Sequence, residues 1–223
     1  MEKRVLVAIA AMLSVLLLAS GQAGTLQGAN SKSVSSQNIQ QASSRTTTKQ
    51  AFLRTLVASR APGGFIWMMK CDGEETFLQG EPDILPLENA LDSLTRMDPR
   101  YKWQTETGVI NLIPSAGEPE LLKTRIRRFK TNTDLNDTLR QLLALQPVKQ
   151  AADRLGLRQT SLSLLVGSSP LNGGPSRISV DVYDGTLRKA LNALVKAHGR
   201  AVWEYRESSC DGVNEFTVTF LAR

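Results

Sequence analysis

The chain has 223 residues, 41% of them hydrophobic and 22% charged, with a formal net charge of +6 and a pI near 9.5. That balance excludes a chain too polar to bury a core and leaves room for one large or two small domains. A basic surface of this kind suits anionic partners and serves solubility equally well. One histidine and two cysteines supply too few ligands for a His-based zinc site, so no metal or cofactor is expected.

Lys3 and Arg4 precede the apolar run VLVAIAAMLSVLLLA (residues 5–19), and the small residues Ser20, Gly21 and Ala23 follow. This order predicts a secretory signal peptide over residues 1–23, cleaved after Ala23. The run is shorter than the ~20 residues that cross a bilayer comfortably, so an uncleaved anchor is the weaker reading. Residues 24–47 are rich in Ser, Thr and Gln without apolar periodicity, which predicts a flexible linker.

Residues 48–120 are expected to form a first α+β unit. Phe52, Leu53, Leu56 and Val57 recur at helical spacing, and Ala61-Pro62-Gly63-Gly64 stops the helix. GFIWMMKC (residues 64–71) reads as a buried strand, Asp72-Gly73 as a turn, and residues 76–78 as a short strand. Pro86 suits a first helical position, Leu87, Ala90, Leu91 and Leu94 make one apolar stripe, and Asp98-Pro99 closes the helix. Tyr101 and Trp103 alternate with polar residues, Gly108 permits a turn, and residues 109–113 return as a strand.

Residues 121–223 are expected to form a second α+β unit. Residues 121–130 read as a strand carrying Arg125, Arg127, Arg128 and Lys130. Leu135, Leu139 and Leu142 predict a helix, Pro147 starts another, and Gly156 caps it. SLSLLVG (residues 161–167) reads as a strand, and the following loop, residues 168–176, has no phosphate-cradle pattern. ISVDVY (residues 178–183) alternates strictly, Asp184 or Thr186 caps the next helix, and Gly199 ends it. Residues 201–205 are expected to pair with residues 216–221 through a turn around Cys210-Asp211-Gly212.

The two units share a text. Leu87, Ala90, Leu91, Leu94, Arg100 and Trp103 recur 100 residues later as Leu187, Ala190, Leu191, Leu194, Arg200 and Trp203, without a gap. This is an internal duplication. The helix at Leu135 repeats the leucine spacing more faintly, lacks a Trp strand after it, and is read as convergent. The fold class that follows is α+β, two small βαββ-type units with additional helices.

The alternating strand, the L-x-x-A-L-x-x-L helix, the Gly stop and the strand of residues 178–205 resemble the short N-terminal domain of secretins and TonB-dependent receptors. Residues 84–113 match its helix and hairpin less completely. The resemblance implies a small periplasmic module that docks onto other proteins or passes a signal, with no catalytic residues to carry over. The expected function is a non-enzymatic protein–protein interaction or adaptor module in envelope transport or signalling, with an envelope protein as partner. The alternative is a binder of anionic envelope lipid or polymer through the basic strand. Export disfavours nucleic acid; contact with a membrane would come by proximity or through an uncleaved signal; the oligomeric state is left open.

Individual residues add little chemistry. Arg125, Arg127, Arg128 and Lys130 are candidate contacts for an anion or partner, weighed against a solvated edge strand guarded by its charges. Strand alternation puts Arg125 and Arg127 on one face and Arg128 and Lys130 on the other. Cys71 and Cys210 would meet in an oxidising compartment as one disulfide, or remain two thiols. His198 reads as a helix-end or surface residue rather than a catalytic base, and Glu74 and Glu75 as solvated turn charges. Trp103 and Trp203 read as core residues under their helices before they read as a stacking platform.

Overall fold

The computed structural model describes residues 46–71, 77–80, 86–160 and 177–222. The predicted signal peptide, nearly all of the linker, Glu74, Glu75 and the strand expected at residues 161–167 lie outside the described residues. Residues 43–223 form one compact unit. Its elements run α1 (Thr48–Ser59), β1 (Gly63–Lys70), α2 (Leu87–Met97), β2 (Tyr101–Glu106), β3 (Val109–Pro114), β4 (Arg125–Thr133), α3 (Leu135–Leu143), α4 (Gln146–Arg154), β5 (Leu157–Gln159), β6 (Ile178–Thr186), α5 (Leu187–His198), β7 (Ala201–Cys210) and β8 (Val213–Ala222). The fold is α+β.

Among the described residues the strands make a sheet in the order β2-β3-β1-β7-β8-β5 and a two-stranded sheet of β4 with β6. The boundary expected between residues 120 and 121 does not interrupt the larger sheet, because β1 pairs in parallel with β7. β2–β3 and β7–β8 are antiparallel hairpins, while β1 runs parallel to β3 and β5 parallel to β8. Both hairpins close through two residues at positive φ, Thr107-Gly108 and Asp211-Gly212, the backbone twist that joins strands tightly.

Alternation along the central strands feeds a core on each face. Phe65 of β1 and Val202 of β7 pack with Phe52 and Leu56 of α1 and Leu91 and Leu94 of α2. Ile66, Trp203 and Tyr205 face the other way, onto Leu191 and Leu194 of α5, with Leu139 and Val148 of α3 and α4 in the same core. Ile126, Phe129, Ile178 and Val180 of the small sheet close that second core from its far side.

The duplicated helices therefore cover opposite faces of one sheet. Every strand of the second trio, β7-β8-β5, also runs opposite to its counterpart in β2-β3-β1. A half-turn about an axis lying across the strands, with a shift of three strands, relates the two copies. The strands β4 and β6 are additions to the second copy among the described residues.

Local chemistry sets the element ends. Thr47 and Gln50 form a reciprocal capping box on α1, Asp134 accepts the amides of Asn136 and Asp137 at α3, and Thr186 accepts that of Lys189 at α5. The strand expected from residue 121 starts at Arg125 instead. Pro119 opens a short 3-10 turn, Glu120–Lys123, which buries Leu121 and Leu122. Of the strand expected at residues 76–78, Phe77 makes one isolated bridge to Thr47.

Candidate functional site

The basic strand sits where its apolar minority places it. Ile126, Phe129 and Thr131 are buried, and Arg125, Arg127, Arg128 and Lys130 are all exposed. The expectation of two opposed pairs of basic residues assumed regular alternation. The ladder is interrupted at Arg127 and Asp184, a non-glycine residue with φ 43°, keeps its register on either side, and leaves the neighbours Arg127 and Arg128 both exposed. Arg128 stands over the ring of its cross-strand partner Tyr183, 5.0 Å from the centroid. Lys130 is opposite Asp181, and Arg125 reaches Asp184 at 3.6 Å across open solvent, a weak pair.

Beside this strand lies an open groove of about 890 Å³, lined by Lys123, Arg125, Arg154, Glu120, Asp153 and Leu155 among others. Its charges are mixed: Lys123 is held by Glu120 at 2.5 Å, and Arg154 Nε donates to the Gln150 carbonyl. The groove extends the basic surface without concentrating it.

The duplication carries a side-chain bond as well as a helix. Trp103 Nε1 donates to Asp92 Oδ1 at 2.8 Å, and Trp203 Nε1 donates to Asn192 Oδ1 at 2.7 Å. Trp203 is fully buried whereas Trp103 is half-buried on the edge strand β2. Asn192 also donates to Glu106 Oε2 at 3.0 Å, and Lys196 donates to the Thr107 carbonyl at 2.9 Å, so α5 holds the tip of the β2–β3 hairpin.

Arg188 completes that junction, with Nη2 3.5 Å from Glu106 and Nε 3.0 Å from Glu118. The Glu118 contact lies off the N–H direction, so charge holds it, and neither Arg188 Nε nor Glu118 Oε1 completes a directed hydrogen bond. Burial pushes the Glu118 carboxyl above its ordinary range, and the Arg188 charge only partly offsets this.

A second cluster joins the start of α1 to the end of α2. Asp98, 2% exposed, accepts from Thr48 at 2.5 Å and from Arg100 Nε and Nη2 at 2.7 Å each. Burial alone would raise its carboxyl; the hydrogen bonds from Arg100 and Thr48 and the Arg100 charge outweigh this and hold it below the usual carboxylate range. His198 occupies the equivalent place in the second copy. It is buried, and its Nδ1 accepts the Arg200 amide just as Asp98 accepts that of Arg100. The imidazole thus sits at the end of α5 as a buried acceptor for that amide, in the helix-end place and not at the surface.

Cys71 and Cys210 lie at the ends of the adjacent strands β1 and β7 and are present as thiols. Among the described residues no group of three or more His, Cys, Asp and Glu side chains could hold a metal ion. No helix among the described residues is long and apolar enough to cross a membrane. The Asp98 and Arg188 clusters were missed from sequence, although the 100-residue offset linking Asp98 to His198 and Asp92 to Asn192 was readable there.

No family model matches the chain, and neither a curated protein nor a solved structure matches it.

Proposed function

We propose that this chain is an exported, non-enzymatic adaptor of the cell envelope, which docks a partner protein by adding the partner's strand to the open edge at β2. The likeness to the short N-terminal domain of secretins and TonB-dependent receptors is part of this reading. It is supported by the strand–helix–strand–strand order of β6, α5, β7 and β8.

The observation that carries the proposal is the position of β2 at the end of the larger sheet, where among the described residues its one ladder partner is β3. Opposite Thr105, the Ile110 amide turns away from β2 to the Pro62 carbonyl. Thr105 is thus at a non-hydrogen-bonded pair, and its own amide faces outward. A partner strand gains affinity from such main-chain groups and specificity from alternate side chains.

The test is cross-linking in the native envelope followed by mass spectrometry, with Thr105→Pro as the edge variant. Proline there removes an outward donor and leaves the β3 ladder intact. Recurrent capture of one envelope component, lost in the variant, is the expected result. Recovery of the protein alone sinks the adaptor reading, and capture that survives Thr105→Pro moves the dock away from β2.

A second reading, binding of anionic envelope lipid or polymer, is favoured by the joint exposure of Arg125, Arg127, Arg128 and Lys130. It predicts salt-sensitive association with anionic vesicles or polymer that charge reversal of Arg125, Arg127 and Arg128 abolishes. Capture that withstands both salt and charge reversal counts against it.

A further inference from the structure

Cys71 and Cys210, 139 residues apart in the chain, meet at the joint between the two copies. β1 and β7 pair in parallel from Gly63 opposite Val202 to Lys70 opposite Ser209. The ladder ends there, one residue short of the cysteines, and the same register carried one step further would set Cys71 opposite Cys210. Residues in register on neighbouring strands lie about 4.8 Å apart and turn their Cβ atoms to the same face. That separation falls within the roughly 4.4–6.8 Å between Cα atoms that a disulfide spans.

The sulfur of Cys71 already reaches across the joint. Its thiol donates to the Ser209 carbonyl at 2.8 Å, the peptide immediately before Cys210. Cys71 is exposed and Cys210 partly so, which leaves the pair open to an oxidant. The extra length of β7 makes the meeting possible: β7 has 10 residues against 6 in its counterpart β2, and Cys210 is the last of them. Elsewhere along the joint, Trp203 packs opposite Gly64, and Lys49 clasps Glu204 at 2.8 and 2.9 Å. The cysteines sit at the other end, where the ladder stops.

We propose that Cys71 and Cys210 form an intramolecular disulfide that seals the β1–β7 joint once the chain reaches an oxidising compartment. The oxidant is a dithiol–disulfide exchange partner in its disulfide form. The Cys71 thiolate attacks one of its sulfurs, making a mixed disulfide and releasing the other sulfur as a thiolate. The Cys210 thiolate then attacks the Cys71 sulfur and releases the partner's second thiolate. The two cysteines give up two electrons and two protons, and the partner leaves as a dithiol.

The experiment is to quench cells in acid, then alkylate the protein with a mass-adding maleimide before and after reduction. No adduct before reduction, two adducts after it, and migration as a monomer without reductant are the expected results. The purified oxidised protein should also melt about 5–15 °C above the reduced one, a gap that Cys71→Ser abolishes. Two reactive thiols in the cell sample, or a bond linking two chains, overturns the proposal. A melting temperature that reduction does not change overturns its sealing role.

Discussion

Gly64 stands opposite Trp203 in the β1–β7 ladder, and a Cβ at Gly64 would fall 2.0 Å from Trp203 Cε2. Trp203 is fully buried and bonded to Asn192, so the indole has nowhere to retreat. Gly64→Ala is expected to lower stability by about 1–3 kcal/mol in urea denaturation. Trp203→Leu in the same chain should recover part of the Gly64→Ala loss; strict additivity of the two costs would refute the steric account.

The two Trp bonds should differ in worth although their geometry repeats. Asn192→Ala orphans a buried indole N–H and also releases Glu106, with an expected cost of about 1–3 kcal/mol. Asp92→Ala acts at a half-buried indole that water can reach, and its cost should stay below about 1 kcal/mol. Equal losses in the two variants would mean that the bond, and not its burial, sets the value.

Acid should act on this fold in two opposite senses. Glu118 has a raised carboxyl, so its charged form burdens the native state near neutrality. That burden lifts as pH falls through the raised value toward the usual 4.5. Asp98 has a depressed carboxyl: its contribution is fully present above the usual 3.8 and is lost as pH falls through the lower native value. Urea titrations across pH should show Glu118→Gln flattening the gain on mild acidification and Asp98→Asn flattening the loss at low pH. Interchanged effects would reverse the assignment.

Replacing Arg125, Arg127 and Arg128 singly by Glu should change stability by less than about 0.5 kcal/mol, since all three side chains are exposed. Arg128 is the informative case because of its stacking on Tyr183. A loss above about 1 kcal/mol there would assign the pair to folding instead of recognition.

The α+β class, the helices and the β7–β8 hairpin were legible because apolar spacing, glycine stops and the 100-residue offset are local signals. The pairing of β1 with β7 was not, since neither strand carries a mark that names its partner. Its trace was indirect: Gly63-Gly64 read as part of the helix stop, whereas both glycines begin β1 and make room for Leu56 and Trp203. The joint exposure of Arg127 and Arg128 also escaped alternation, because the ladder with the partner strand is interrupted there, at Arg127 and Asp184. Of the candidate site, residue identities could be read in advance, but the Asn192–Glu106–Arg188–Glu118 junction depended on the two copies meeting.

The parallel ladder also sets a timetable for the chain as it is made. β2, β3 and β1 can assemble early, yet one flank of β1 stays bare until β7 has been synthesised, 139 residues after Gly63. Contacts so distant in sequence are slow to form, and an uncovered strand invites mispairing in the interval. A nascent chain halted before β7 should therefore occupy holding chaperones, and one released beyond β8 should leave them.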